Sequence, residues 1–122
     1  ITSVSVKAPI ATLGLSNSAR AGLTGFVAGT ARQVARQGVT INNLLPGSHD
    51  TDRILALDSR IAQAKNIPLE DARAEQQAGI PVGRYGTPAE FGATCAFLCS
   101  QHAGFIIGQN VLPDGGATNT TM

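Results

Sequence analysis

Apolar and small polar residues alternate over residues 1–6, a period of two that predicts a short strand. Pro9 and Gly14 mark residues 7–15 as a loop. From residue 16 to 37 the period becomes helical. Ala19, Leu23, Phe26, Val27, Ala31 and Val34 form one stripe, Ser16 or Asn17 is placed to cap the start, and Gly38 to end it. Gly22, Gly25 and Gly29 lie inside that helix, where each costs ~1 kcal/mol relative to Ala, so the pattern predicts close approach of another backbone. The β-branched and apolar run at 39–45 predicts a second strand, stopped by Pro46-Gly47. Amphipathic helices follow at 51–65 and 68–78, then a GIPVGRYG loop at 79–86. Thr87, Pro88 and Glu90 stand at the N-cap, N1 and N3 positions of a capping box, which starts a helix running to about residue 100. Residues 106–112 predict a third strand, 113–116 a turn and 117–122 a frayed tail. The order β–α–β–α–α–α–β with apolar strands predicts a parallel α/β sheet covered by helices, in one domain over residues 1–122.

Composition narrows the function classes. The chain has 122 residues, 43% of them hydrophobic and 14% charged, with fourteen glycines and a net charge of +1. Disorder is excluded, because it requires low hydrophobicity and high net charge. Nucleic-acid binding is disfavoured: nine basic and eight acidic residues are dispersed, and there is no Trp for base stacking. No apolar stretch reaches the ~20 residues of a membrane span and no secretory signal is visible, which predicts a soluble chain, and free thiols point to a reducing, cytoplasmic setting. Cys95 and Cys99 stand four apart in a predicted helix. Two cysteines alone do not close a zinc site, so no metal is expected, and both thiols are predicted to be buried and free. The only tyrosine, Tyr85, is read as a packing residue beside Gly86.

The stretches ITSVS, SNSARAGLTGF, GVTINNLLPGSHDTD, IPVGRYGTPAEFGATCAFLCS and GFIIGQNVLPDGGAT occur in the order and spacing of a known family. The chain resembles the C-terminal half of a short-chain dehydrogenase/reductase of the 3-oxoacyl-carrier-protein-reductase-like kind. The resemblance implies a Rossmann-type parallel sheet, represented here by about three strands with flanking helices. It also implies a parent enzyme that uses NAD or NADP on a small-molecule carbonyl or alcohol. That chemistry uses a Ser, a Tyr thirteen residues later and a Lys four residues beyond. Ser3 matches the Ser, but Ser16 stands at the Tyr position and Arg20 at the Lys position. A serine hydroxyl is far less acidic than a phenol at ~10, and Arg effectively never releases its proton. Arg20 is instead suited to hold an anionic group. Pro46 and Gly47 match the backbone that packs on the nicotinamide, and Thr51 the Thr that binds its carboxamide, although Thr51 also suits a helix cap. Asn42 and Asp114-Gly115-Gly116 match structural positions. The Gly-rich turn that holds the pyrophosphate belongs to the other half of the fold and has no counterpart here. The chain alone is therefore expected to bind the dinucleotide weakly or not at all.

The implied partners are a missing N-terminal half or further copies of the chain in a homo-oligomer. The Gly-rich helix and the IIGQNVLPDGG segment resemble the family's two interfaces, so a non-catalytic oligomerisation module is the alternative. A small serine hydrolase is a third possibility, with Gly14-Leu15-Ser16-Asn17-Ser18 near an elbow motif and His49 and Asp50 as partners; its bland counterpart makes Ser16 a helix cap and His49 an exposed loop residue. Residues 51–79 correspond to the family's substrate-covering helices and offer Ile54, Leu55, Leu57, Ile61, Ile67 and Leu69 as an apolar lid.

Overall fold

A computed structural model describes residues 1–121, so the last residue of the predicted tail, Met122, lies outside the described residues. The described residues form four α-helices: α1 (Gly14–Val34), α2 (Asp52–Lys65), α3 (Leu69–Ala78) and α4 (Pro88–Leu98). Two short strands, β1 (Asn43–Leu44) and β2 (Asn110–Val111), pair in parallel, with Asn43 opposite Asn110 and Leu44 opposite Val111. Backbone bonds extend the pairing beyond the strands proper. Gly108 N–H donates to Ile41 O at 2.9 Å, Asn43 N–H to Gln109 O and Leu45 N–H to Val111 O at 2.8 Å, and Gly47 N–H to Pro113 O at 3.2 Å. Asn42 reinforces them: its amide donates to Ile106 O, and its carbonyl accepts from Gln109 N–H. The parallel α/β arrangement agrees with the pattern, but both strands are shorter than expected.

The first predicted strand is corrected. Only one ladder-like bond forms there, Thr2 N–H to Leu44 O at 2.8 Å. Ser3, in extended backbone, then accepts Ser5 N–H on its own hydroxyl, and the chain turns into a 3-10 helix at Val4–Val6. This local side-chain bond competes with continued pairing.

α1 begins two residues before the predicted start, with Leu13 as its N-cap and no side-chain cap bond. Ser16 and Asn17 are therefore inside the first turn rather than capping it. Asn17 uses its amide to bond Ile10 O. The C-terminal end follows the sequence: a 3-10 turn at Ala35–Gln37 closes on Gly38 in left-handed backbone, φ 76°. Val27 and Ala31 of α1 are buried, and Ala31 reaches the close position at Gly108, whose φ is 66°. At Gly22, Gly25 and Gly29 the expectation fails within the chain, since an added Cβ would meet nothing within 4 Å. Leu23 and Phe26 are exposed along the same helix.

α2 and α3 pack on each other across a tight link at Asn66, which adopts φ 54°. α4 starts with the expected capping box: Thr87 Oγ1 accepts Glu90 N–H, and the Glu90 carboxylate accepts Thr87 N–H at 2.7 Å. Arg84 adds a bidentate pair to that carboxylate at 2.9 and 2.6 Å. The Arg84 bond, then the backbone bond, hold Glu90 down at about 2. The cysteine expectation is corrected, because Cys95 is half-buried and Cys99, at the C-cap where α4 ends, is exposed; both are free. No helix among the described residues is long and apolar enough to cross a membrane.

Candidate functional site

The loop after β1 and the start of α2 form one wall of a cavity of about 620 Å³. The segment Ile1–Ser3 and the side chain of Arg20 form another, and Pro88 and Phe91 of α4 complete it. Five of the six residues singled out in the sequence line this space: Ser3, Arg20, Pro46, Gly47 and Thr51. The sixth, Ser16, is tied to it through Arg20, whose Nε donates to Ser16 Oγ at 3.1 Å. Helical spacing of four places the two side chains on one face. Arg20 Nη1 donates as well to the backbone carbonyl of Thr2. The guanidinium thus spans from α1 to the segment that carries Ser3.

Ser3 Oγ accepts Ser5 N–H at 3.1 Å. That bond uses a lone pair and leaves the hydroxyl proton available to donate. Thr51 is the N-cap of α2, but its side chain makes no cap hydrogen bond, contrary to the capping alternative. Gly47 is required by its close approach to Asp114. A Cβ there would stand 2.7 Å from Asp114 Cβ and 2.8 Å from Asp114 Cα. Asp114 is itself fixed, its carboxylate accepting Gly116 N–H and Thr118 N–H at 2.9 Å each. Because one contact is backbone, Gly47→Ala is expected to lose about 1–3 kcal/mol of stability, read as a lowered denaturant midpoint; an unchanged midpoint refutes the close contact.

His49 is half-buried rather than exposed. Its ring meets Phe91 edge-on, with centroids 5.4 Å apart, and covers Gly86, where a Cβ would stand 2.7 Å from the imidazole. The hydrolase constellation does not assemble: Ser16 Oγ accepts from Arg20, His49 Nδ1 faces Gly47 O at 3.2 Å, and Asp50 pairs with Arg73 at 2.7 Å. Of the predicted apolar lid, only Ile54 lines the cavity, while Leu55 and Leu57 are exposed.

The sequence reading missed Asp58. It lies on α2 and is 2% exposed, and both its carboxylate oxygens accept from the Tyr85 hydroxyl, at 3.0 and 3.1 Å. Arg73 of α3 donates to Asp58 at 3.3 Å and to Asp50 at 2.7 Å, with its guanidinium carbon 5.2 Å from the Tyr85 ring centroid. Burial, then the carboxylate beside it, pushes Tyr85 up to about 12. Tyr85 is buried, as expected of a packing residue, but its hydroxyl joins α2 to the 79–86 loop. Nothing local signals a pair 27 positions apart; an Asp on the inner face of an amphipathic helix was the available clue.

Comparison with known proteins gives the family and the fold. The family described as Enoyl-(Acyl carrier protein) reductase matches residues 1–118. The 3-oxoacyl-[acyl-carrier-protein] reductase of Vibrio harveyi is 36% identical over 99 residues, covering 81% of this chain and 36% of that protein. The acetoacetyl-CoA reductase of Shinella zoogloeoides is 34% identical over 100 residues, covering 82% and 37%. Among solved structures, YwfH, an NADPH-dependent reductase involved in bacilysin biosynthesis, superposes with a TM-score of 0.89 at 29% identity, covering 98% of this chain and 45% of that one. The chain is therefore a Rossmann-type α/β protein, and it belongs to the short-chain dehydrogenase/reductase family. It spans less than half the length of these relatives.

Proposed function

We propose that this chain is the C-terminal, substrate-side part of an NAD(P)-dependent oxidoreductase that interconverts a small-molecule carbonyl and its alcohol. The observation that carries the reading is the gathering of Ser3, Arg20, Pro46, Gly47 and Thr51 around one cavity. Its volume lies within the range of small-molecule sites, ~300–1,000 Å³. The residues fit the nicotinamide end of a dinucleotide: Pro46-Gly47 offers a flat backbone wall, and the Thr51 hydroxyl is not spent on capping. The Gly-rich strand-to-helix turn that cradles a pyrophosphate is not among them. When bound, a reduced nicotinamide supplies hydride to the carbonyl carbon.

The protein's part is to hold the carbonyl oxygen as charge develops on it. Ser3, oriented by Ser5 N–H, donates its hydroxyl proton in a hydrogen bond to that oxygen. Arg20 places positive charge beside it while bonding only neutral oxygens, those of Thr2 and Ser16. With Ser16 in place of a tyrosine, the proton that completes the alcohol is drawn from bulk solvent reaching the open cavity. The expected pH profile of reduction lacks the inflection a tyrosine acid would impose.

A titration with NADPH and NADH tests the reading. The full-length protein is expected to bind at least one of them, and this chain alone to bind at least 100-fold more weakly. Absence of binding by the full-length protein refutes the assignment. A second reading, an oligomerisation module, is favoured by the exposed Leu23 and Phe26 and the open glycines of α1. Its occupant is a second copy of the chain, and a clean monomer by light scattering at micromolar concentration excludes it.

A further inference from the structure

We infer that the cavity takes an anionic substrate, an oxo acid or hydroxy acid with a short apolar body, and that Arg53 recognises its carboxylate. The inference rests on the reductase reading above and names the substrate class of that same site.

Two observations converge. The first is charge. Arg20 and Arg53 both line the cavity, and among the described lining residues there is no Asp or Glu. Neither arginine forms an ion pair among the described residues, in contrast to Arg73 and Arg84. Asp52, next to Arg53 in sequence, does not line the cavity. The second is the start of α2, a helix of 14 residues, which brings Thr51, Arg53 and Ile54 to the cavity. Its first N–H groups have no intrahelical partner, and its Thr51 hydroxyl caps none of them, so the helix end adds partial positive charge where Arg53 stands.

The remaining surface describes the body of the substrate. Ile1, Ile54, Pro88 and Phe91 give an apolar lining between the polar groups. Arg53 also borders a second opening, shared with Ala56, Leu57 and Arg60, so it stands at the rim of the cavity. A carboxylate held at that rim leaves the carbonyl toward Ser3. Arg53 suits this task because its planar fork binds both carboxylate oxygens at once.

The test uses the full-length protein with NADPH or NADH and three matched pairs: 2-, 3- and 5-oxohexanoate and their methyl esters. At least one acid is expected to exceed its ester tenfold or more in kcat/KM. R53Q is expected to bring that ratio close to one, and R53K to keep a substantial part of it. Esters turned over as well as acids in all three pairs, or an acid preference that survives R53Q, overturn the proposal. R53Q that weakens NADPH binding while leaving the ratio intact also overturns it, because Arg53 then serves a dinucleotide phosphate. If none of the six compounds is turned over with either dinucleotide, the reductase reading fails by itself. The anion site is then judged by calorimetric titration of 5-oxohexanoate: millimolar binding that R53Q abolishes upholds it, and no binding to the native protein overturns it.

Discussion

Asp58→Ala is expected to destabilise the protein by about 3 kcal/mol, near the lower end of what breaking a buried charge pair costs. The substitution leaves the Tyr85 hydroxyl, on a residue 6% exposed, without its acceptor, which alone costs ~1–3 kcal/mol. Arg73 loses one partner but keeps Asp50 and has access to water, which holds the total down. At this chain length the change is expected to lower Tm by roughly 10 °C. The control is Asp50→Asn: Asp50 also pairs with Arg73 but its side chain is 55% exposed, so its loss is expected to stay below about 1 kcal/mol. Equal denaturant midpoints for the two variants would show that burial of Asp58 does not matter. The same network sets a pH limit. Tyr85 is raised from 10.0 to about 12, so its neutral form is favoured by folding. That contribution, about 2–3 kcal/mol, is fully present below pH ~10 and is lost as pH rises from there through 12. Tyr85→Phe is expected to lack this alkaline loss, while being less stable by about 2 kcal/mol at neutral pH because the Asp58 carboxylate loses a donor.

Ser3→Ala is expected to lower kcat/KM of the full-length protein by roughly 100-fold, the scale seen when one donor to a developing oxyanion is removed. The same hydroxyl caps the 3-10 turn, so a stability loss of about 1 kcal/mol is expected beside it. That loss cannot reproduce a 100-fold rate effect in a protein that remains folded. Ser3→Thr retains both the acceptor and the donor and is expected to recover part of the rate. A Ser3→Ala variant with native kcat/KM and an unchanged unfolding midpoint would remove Ser3 from the proposed chemistry.

Much of the site was legible because its markers are local. The spacing of Ser3, Ser16 and Arg20 and the Pro46-Gly47 stop needed no tertiary information, and the contact of Ser16 with Arg20 follows from helical geometry alone. The capping box at Thr87 and the left-handed Gly38 were readable for the same reason. Strand length was not, since pairing is decided by the neighbour: Ile1–Ser3 alternates like a strand, yet only Thr2 finds a ladder-like bond before the Ser3 hydroxyl turns the chain. The start of α1 was misplaced because Ser16 and Asn17 have cap-like side chains but use them elsewhere, on Arg20 and Ile10. Asp58 and Tyr85, or His49 and Gly86, meet across 27 and 37 positions, and no period in the sequence encodes such a meeting.

The contact between Gly47 and Asp114 carries a mechanical consequence. A side chain cannot enter at 47 while the backbone of 114 lies under it, and Asp114 cannot shift without releasing the two amides of the closing turn. A side chain at 47 therefore meets a penalty set by the turn at 114, and the wall of the cavity is mechanically coupled to a turn 67 positions away.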